Sequence, residues 1–219
     1  MKLRQKGFSL LEILVVLTLL SVVYFSIPST GNSGNRDDLE EGIQKITRAV
    51  RFAQSEAILR NTIIRLKIVL SGEEEQSYSV DFGPSDTLPL PELKDLRKLS
   101  IKEREEQLKI IAHVDRQFQP VPELEDEDLG FPEDITVQGV GLSDKDFVQT
   151  DEIYSLYFFP TGEKDSSIIF ISSLEELASI KVNSFSDNPS VSYQPFDGDE
   201  DSVQLEALVK KTYERWRKN

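Results

Sequence analysis

The residue whose chemistry most needs explaining is Glu12. It is the only charged residue in the run 8–27, FSLLEILVVLTLLSVVYFSI. A helix of that length, at about 1.5 Å per residue, spans roughly 30 Å, the thickness of a hydrocarbon core. A carboxylate at the centre of such a helix costs about 2.5–3.5 kcal/mol on insertion scales, and less towards the edge. A cut between Gly7 and Phe8 would supply a counter-charge. Phe8 would gain a free cationic amine, and Glu12 follows it by four residues. The amine of one copy facing the carboxylate of the next would make an ion pair that fixes register within a helical bundle. Charge pairs in low dielectric suit such a specificity role better than raw stabilisation.

The other candidates for chemistry are few. His113 is the only histidine and there is no cysteine, so a multi-histidine metal centre, a disulfide framework and cysteine catalysis are excluded. His113 reads as a surface or half-buried side chain at the end of a charged helix. No P-loop, GxSxG or HExxH pattern occurs, so no enzyme is expected. The run 197–201, Asp-Gly-Asp-Glu-Asp, contains calcium-ligand types but lacks the twelve-residue loop with its terminal Glu, and a solvated loop is the reading preferred. No metal and no cofactor are expected. With 39 Asp and Glu against 25 Lys and Arg, the chain carries a net charge of −14, which repels phosphate backbones; nucleic acid is not an expected partner.

Three readings of the N-terminus compete. The basic leader, residues 1–7 with Lys2, Arg4 and Lys6, keeps the N-terminus on the cytoplasmic side. A secretory signal peptide would have a shorter apolar run and small residues at the cut, whereas Tyr24, Phe25, Ile27 and Pro28 stand here. A plain signal anchor leaves Glu12 without a purpose. A processed anchor explains it. Lys6-Gly7-Phe8-Ser9-Leu10-Leu11-Glu12 resembles the prepilin peptidase site of the type IV filament superfamily, which includes type IV pilins and the pseudopilins of type II secretion. The resemblance implies cleavage between Gly7 and Phe8, N-methylation of Phe8, and Glu12 as the fifth residue of the mature chain.

The elements that would carry this segment follow in order. Residues 28–35, PSTGNSGN, read as a hinge. A helix is expected to restart near Asp37, with Asn35 as cap and Asp38 completing an imperfect capping box. Leu39, Ile43, Ile46, Val50, Ala53 and Ala57 form its apolar stripe, read as packing on a sheet. Residues 48–61 resemble the end of the N-terminal helix in H-type minor pseudopilins, with Gln54 where a basic residue is usual. Alternation marks strands at 62–70 and 77–82, forming a hairpin, and further strands at 135–140, 153–159, 167–172, 179–183 and 190–193. Phe158-Phe159-Pro160-Thr161-Gly162 resembles the same region of H-type pseudopilins. Residues 84–133 read as an insertion holding a charged helix over 93–112, either a surface excursion or a partner-docking element. The tail places Leu205, Leu208, Val209 and Trp216 at helical spacing.

The expected fold class is α+β, a hydrophobic transmembrane helix followed by an amphipathic helix packed on an antiparallel β domain. Its parts are a leader (1–7), a membrane and filament-core helix (8–27), a hinge and amphipathic helix (28–62), a periplasmic β domain (63–196) and an acidic loop with C-terminal helix (197–219). The resemblance implies a minor pseudopilin of a type II secretion system, closest to the H type. Its partners would be prepilin peptidase, other major and minor pseudopilins and the inner-membrane secretion platform. The chain would cross the bacterial inner membrane once, with its C-terminal domain periplasmic. A minor type IV pilin that primes pilus assembly is the alternative, and a plain signal-anchored periplasmic protein the third reading.

Overall fold

The computed structural model of the chain describes residues 14–19, 33–70, 75–84, 94–124, 129–150, 153–196 and 202–218. The chain divides into two units, Met1–Gly34 and Asn35–Asn219. The second unit is α+β with antiparallel sheets.

Helix α1 (Ser33–Arg60) begins four residues before the expected Asp37. Asn35 therefore lies inside the helix and is not its cap, so the capping box with Asp38 does not form. The last proline of this region is Pro28, and Gly34 costs a helix only about 1 kcal/mol, too little to stop it. The apolar stripe is buried at all six positions, from Leu39 to Ala57. The helix ends at Asn61, whose φ of 50° is the left-handed conformation that Asn tolerates best after Gly.

Nine strands form two sheets among the described residues. The first has the order β3 (Gln119–Pro120), β2 (Ser77–Phe82), β1 (Ile64–Val69), β6 (Ile153–Phe158). The second has the order β5 (Val148–Gln149), β4 (Thr136–Leu142), β7 (Ser167–Ser172), β8 (Glu176–Val182), β9 (Ser190–Pro195). Every pairing is antiparallel. The expected hairpin of residues 62–82 is β1 with β2, in the register Leu66 opposite Val80. The strand–turn–strand pattern at 153–172 has an unexpected geometry. β6 pairs with β1 and β7 pairs with β4 and β8, so the Pro160–Gly162 turn carries the chain from one sheet to the other.

One core joins these layers. The α1 stripe packs with Ile64, Leu66 and Ile68 of β1, Leu156 and Phe158 of β6, Ile169 and Ile171 of β7, and Ile180 and Val182 of β8. β7 is buried at all six residues because its other face is also covered. There Ile168, Phe170 and Leu177 meet Val209 and Tyr213 of the C-terminal helix α3 (Ser202–Arg217). The tail thus docks on its own domain. Gly141 makes this possible, since a Cβ at that position would lie 2.4 Å from the Tyr213 ring. The Tyr213 hydroxyl then donates to the carbonyls of Leu142 and Lys145, at 2.7 Å each.

The insertion covers the outer face of the first sheet. Its helix α2 (Ile101–Asp115) starts later and ends later than the expected 93–112, because Ser100 and Glu103 form a reciprocal capping box. A separate 3-10 turn, Leu96–Lys98, precedes it, with Asp95 as cap. Gln107 and Val114 are buried on α2, Ile111 is half-buried and Leu108 is exposed, while Leu96 is buried in the preceding turn. Val114 and Phe118 pack with Ile63 and Tyr157. Beside them Arg65 of β1 is 3% exposed. Its guanidinium donates to Asp81 Oδ2 at 2.6 Å and to Asp115 at the end of α2, and lies 4.4 Å from the centre of the Phe118 ring. Burial works against the charge, but the bonds to Asp81 and Asp115 outweigh it and raise the guanidinium's pKa.

Removing Arg65 would leave Asp81 buried without its cation. Arg65→Ala is therefore expected to cost about 3–5 kcal/mol in urea unfolding, and Asp115→Asn, whose site is partly wet, about 1 kcal/mol. Equal, small losses in both variants would show that the ion cluster does not hold the insertion down.

Candidate functional site

The expected processing and assembly residues Gly7, Phe8 and Glu12 lie outside the described residues, as does the hinge up to residue 32. What is described of the apolar run is the helical segment 14–19. Leu14, Val15, Val16, Leu17 and Leu19 are all exposed, from 46% to 61%. Thr18 is the one polar side chain in the segment, and its hydroxyl donates to the carbonyls of Leu14 and Val15, at 2.7 and 3.0 Å. Its hydrogen-bonding capacity is thereby spent on its own helix. A surface of this kind, apolar with its hydroxyl satisfied internally, suits lipid or another apolar helix. Among the described residues no helix is long and apolar enough to cross a membrane.

Residues 2–23 match the prokaryotic N-terminal methylation motif. The match includes Gly7, Phe8 and Glu12. The motif is a type IV prepilin-like signal and supports the type IV filament superfamily. It indicates a type IV pilin-like protein, a pilin or a pseudopilin, processed by prepilin peptidase and assembled with other pilins. No curated protein and no solved structure matches the chain.

The titratable groups among the described residues lie in the second unit. His113 is exposed on α2. Among the described residues no three His, Asp or Glu side chains are placed to hold a metal ion, and residues 197–201 lie outside them. Gln54, the departure from the usual basic residue, has a structural partner. Lys164 is 2% exposed, and its ammonium donates to Gln54 Oε1 at 3.0 Å and to the Ser186 carbonyl at 2.8 Å. Gln54 Nε2 in turn donates to Asp187 at 3.2 Å. A cation at position 54 would face the Lys164 ammonium, whereas the amide offers an acceptor to one side and a donor to the other. Burial lowers the Lys164 pKa, opposed by Asp187. Sequence reading missed this junction because its members are 110 residues apart.

A cavity of about 440 Å³ opens between α2, the β6 edge and the β4–β5 connection. Asp165 and Tyr154 line it. Burial pushes the Asp165 carboxyl up to about 6, against one backbone hydrogen bond from Tyr157 N–H that favours the charged form. Its charged neighbours, Asp144 and Glu163, add to the rise. Tyr154 is 1% exposed and its hydroxyl has no hydrogen-bond partner. Neither residue stands in a recognisable motif. The only sequence signal was the position of Asp165, three residues after the turn glycine Gly162.

A raised carboxyl pKa destabilises the folded state once it ionises. Between about pH 4 and 6 the folded chain keeps a proton that the unfolded chain has released, so the Asp165 contribution to stability falls as pH rises through that window. Asp165→Asn retains an acceptor for Tyr157 N–H and removes the charge. The variant is expected to match the wild type near pH 4 and to exceed it at pH 7.5 by about 2 kcal/mol, measured by urea unfolding. A wild-type advantage at pH 7.5 would contradict the assigned environment.

Proposed function

We propose that the chain is a minor pseudopilin of a type II secretion system, closest to the H type. The observation that carries the reading is the methylation motif over residues 2–23, with Glu12 as the only charge in the apolar run that follows Gly7. Prepilin peptidase removes residues 1–7 and methylates Phe8. The mature chain sits in the inner membrane by residues 8–27, with its folded unit in the periplasm. Subunits then move from the membrane into a short periplasmic filament whose core is made of their apolar helices. The Phe8 amine of one subunit meets Glu12 of another and sets their register. The filament pushes folded proteins through an outer-membrane channel.

The chain contributes surfaces and contacts to this process rather than catalysis. Several features support that role. The described part of the apolar run presents aliphatic side chains outward. The buried ions of the second unit are engaged with one another or with backbone, as Arg65 and Lys164 show. The departure at Gln54 is compatible with the H-type likeness, because Lys164 supplies a cation at the same junction. The same motif would serve a minor type IV pilin, and the two readings separate in the cell. Deletion of the gene should abolish export of folded proteins in the first case and surface piliation in the second.

Mass spectrometry of the protein from its own cells is expected to find an N-terminus at methylated Phe8. A chain that retains Met1, or that is cut elsewhere, would remove the filament reading. Glu12→Ala is expected to be processed normally yet to lose most crosslinking to neighbouring subunits. Full incorporation of that variant would reject the ion pair as the register-setting contact.

A further inference from the structure

Sheet one ends at β6, and the manner of its ending points to an occupant. In an antiparallel pair the backbone groups of alternate residues face opposite edges. Tyr157 uses its N–H and C=O on the side away from β1: the N–H donates to Asp165 Oδ2 at 3.0 Å and the C=O accepts from Asp165 N–H at 3.2 Å. Ser155 and Ile153, two and four residues earlier, therefore face the same free edge. Their backbone groups have no partner on that side among the described residues.

The chain itself begins a fifth strand at this edge and abandons it. Phe159 N–H donates to Glu163 C=O at 2.8 Å, and Lys164 bridges to Phe158. At Asp165 the chain turns away into β7, and the Asp165 carboxylate stands in for the next backbone acceptor. Where the strand stops, the 440 Å³ cavity starts. Ile153 and Ser155 form one wall of it, and Leu108, Ile111 and Val114 of α2 form another. One polar group there lacks the partner it could take: the buried Tyr154 hydroxyl makes no hydrogen bond. Asp165 accepts from Tyr157 N–H, and Lys94 and Lys145 line the same cavity.

We propose that this cavity takes an extended peptide from another protein, which continues the fifth strand of the first sheet beside β6. The free N–H and C=O groups of Ile153 and Ser155 supply the main-chain ladder. Apolar side chains at alternate positions fill the space against α2. A small apolar molecule would satisfy the walls but would leave the ladder unpaired. The inference does not depend on the filament assignment, since it rests only on residues 94–165.

The test uses the full-length protein in nanodiscs and a random twelve-residue peptide library displayed on phage. Recovered peptides are expected to alternate apolar with polar residues. A synthetic copy should slow amide hydrogen exchange at Ser155. Two variants check the site. Ser155→Pro removes the outward N–H while leaving the β1 pairing intact, as an edge position allows. Ala112→Trp obstructs the cavity mouth from α2. Each should weaken the selected peptide at least tenfold, with the thermal unfolding of the variant showing that the domain stays folded. Recovery of no peptide above background overturns the proposal. So does a peptide whose affinity survives both substitutions, or whose binding leaves the exchange at Ser155 unchanged.

Discussion

Two sheets that share no strand pairing are held as one body by a single helix. Along α1, seven side chains from Leu39 to Ala57 face inward, and both sheets turn their inner faces towards them. The helix is 28 residues long, about 42 Å, and its stripe changes character along that length. Leu39, Ile43, Ile46 and Val50 are bulky, whereas Ala49, Ala53 and Ala57 are small. Gly42 extends the same logic on the other flank, where a Cβ would come within 3.2 Å of Ile135. Core packing at this density tolerates little change in volume, so the layer spacing is written into the size order of the stripe.

Everything outside that core is attached by apolar contact and then located by a polar latch. The insertion lies over the first sheet through Val114 and Phe118, and Arg65 with Asp115 fixes where its helix ends. The tail lies over the second sheet through Val209 and Tyr213, and the Tyr213 hydroxyl fixes its height against Leu142 and Lys145. Apolar contact is non-directional, so it brings an element down without choosing its position. A buried polar group must find its partner or lose several kcal/mol, and that requirement does choose. With both outer faces covered in this way, the free edge of β6 is a surface of the sheets still open to a partner.

The parts of the fold that were legible in the sequence are those with a short period. The α1 stripe repeats every three to four residues and the β1–β2 hairpin every two, and both are set by neighbours close in the chain. The short segment around Gly7, Phe8 and Glu12 is legible for a different reason, because its chemistry is local. The start of α1 was misplaced because Gly and Asn mark possible breaks, while tertiary packing from Leu39 onward favours helix strongly enough to extend it back to Ser33. The change of sheet between β6 and β7 was hidden, since a turn sequence fixes the local bend and not the partner each strand will find. Arg65, Lys164 and Asp165 were invisible for the same reason. Each acts through residues brought close only by folding, and an acidic chain offers too many carboxylates for any one to stand out.

In the proposed function, the N-terminal segment and the folded unit supply different kinds of information. Assembly through residues 8–27 needs an apolar surface, one amine and one carboxylate. Those groups would hold any subunit carrying the same motif in any filament built the same way, so they cannot tell one subunit from another. Specificity arises when a wrong partner leaves polar groups unpaired or apolar surface uncovered. The groups able to impose that penalty lie in Asn35–Asn219, where an interrupted strand and an orphaned hydroxyl meet at one cavity. A general anchor joined to a selective head is the arrangement expected of a minor component, which must enter a common assembly yet take a distinct place within it.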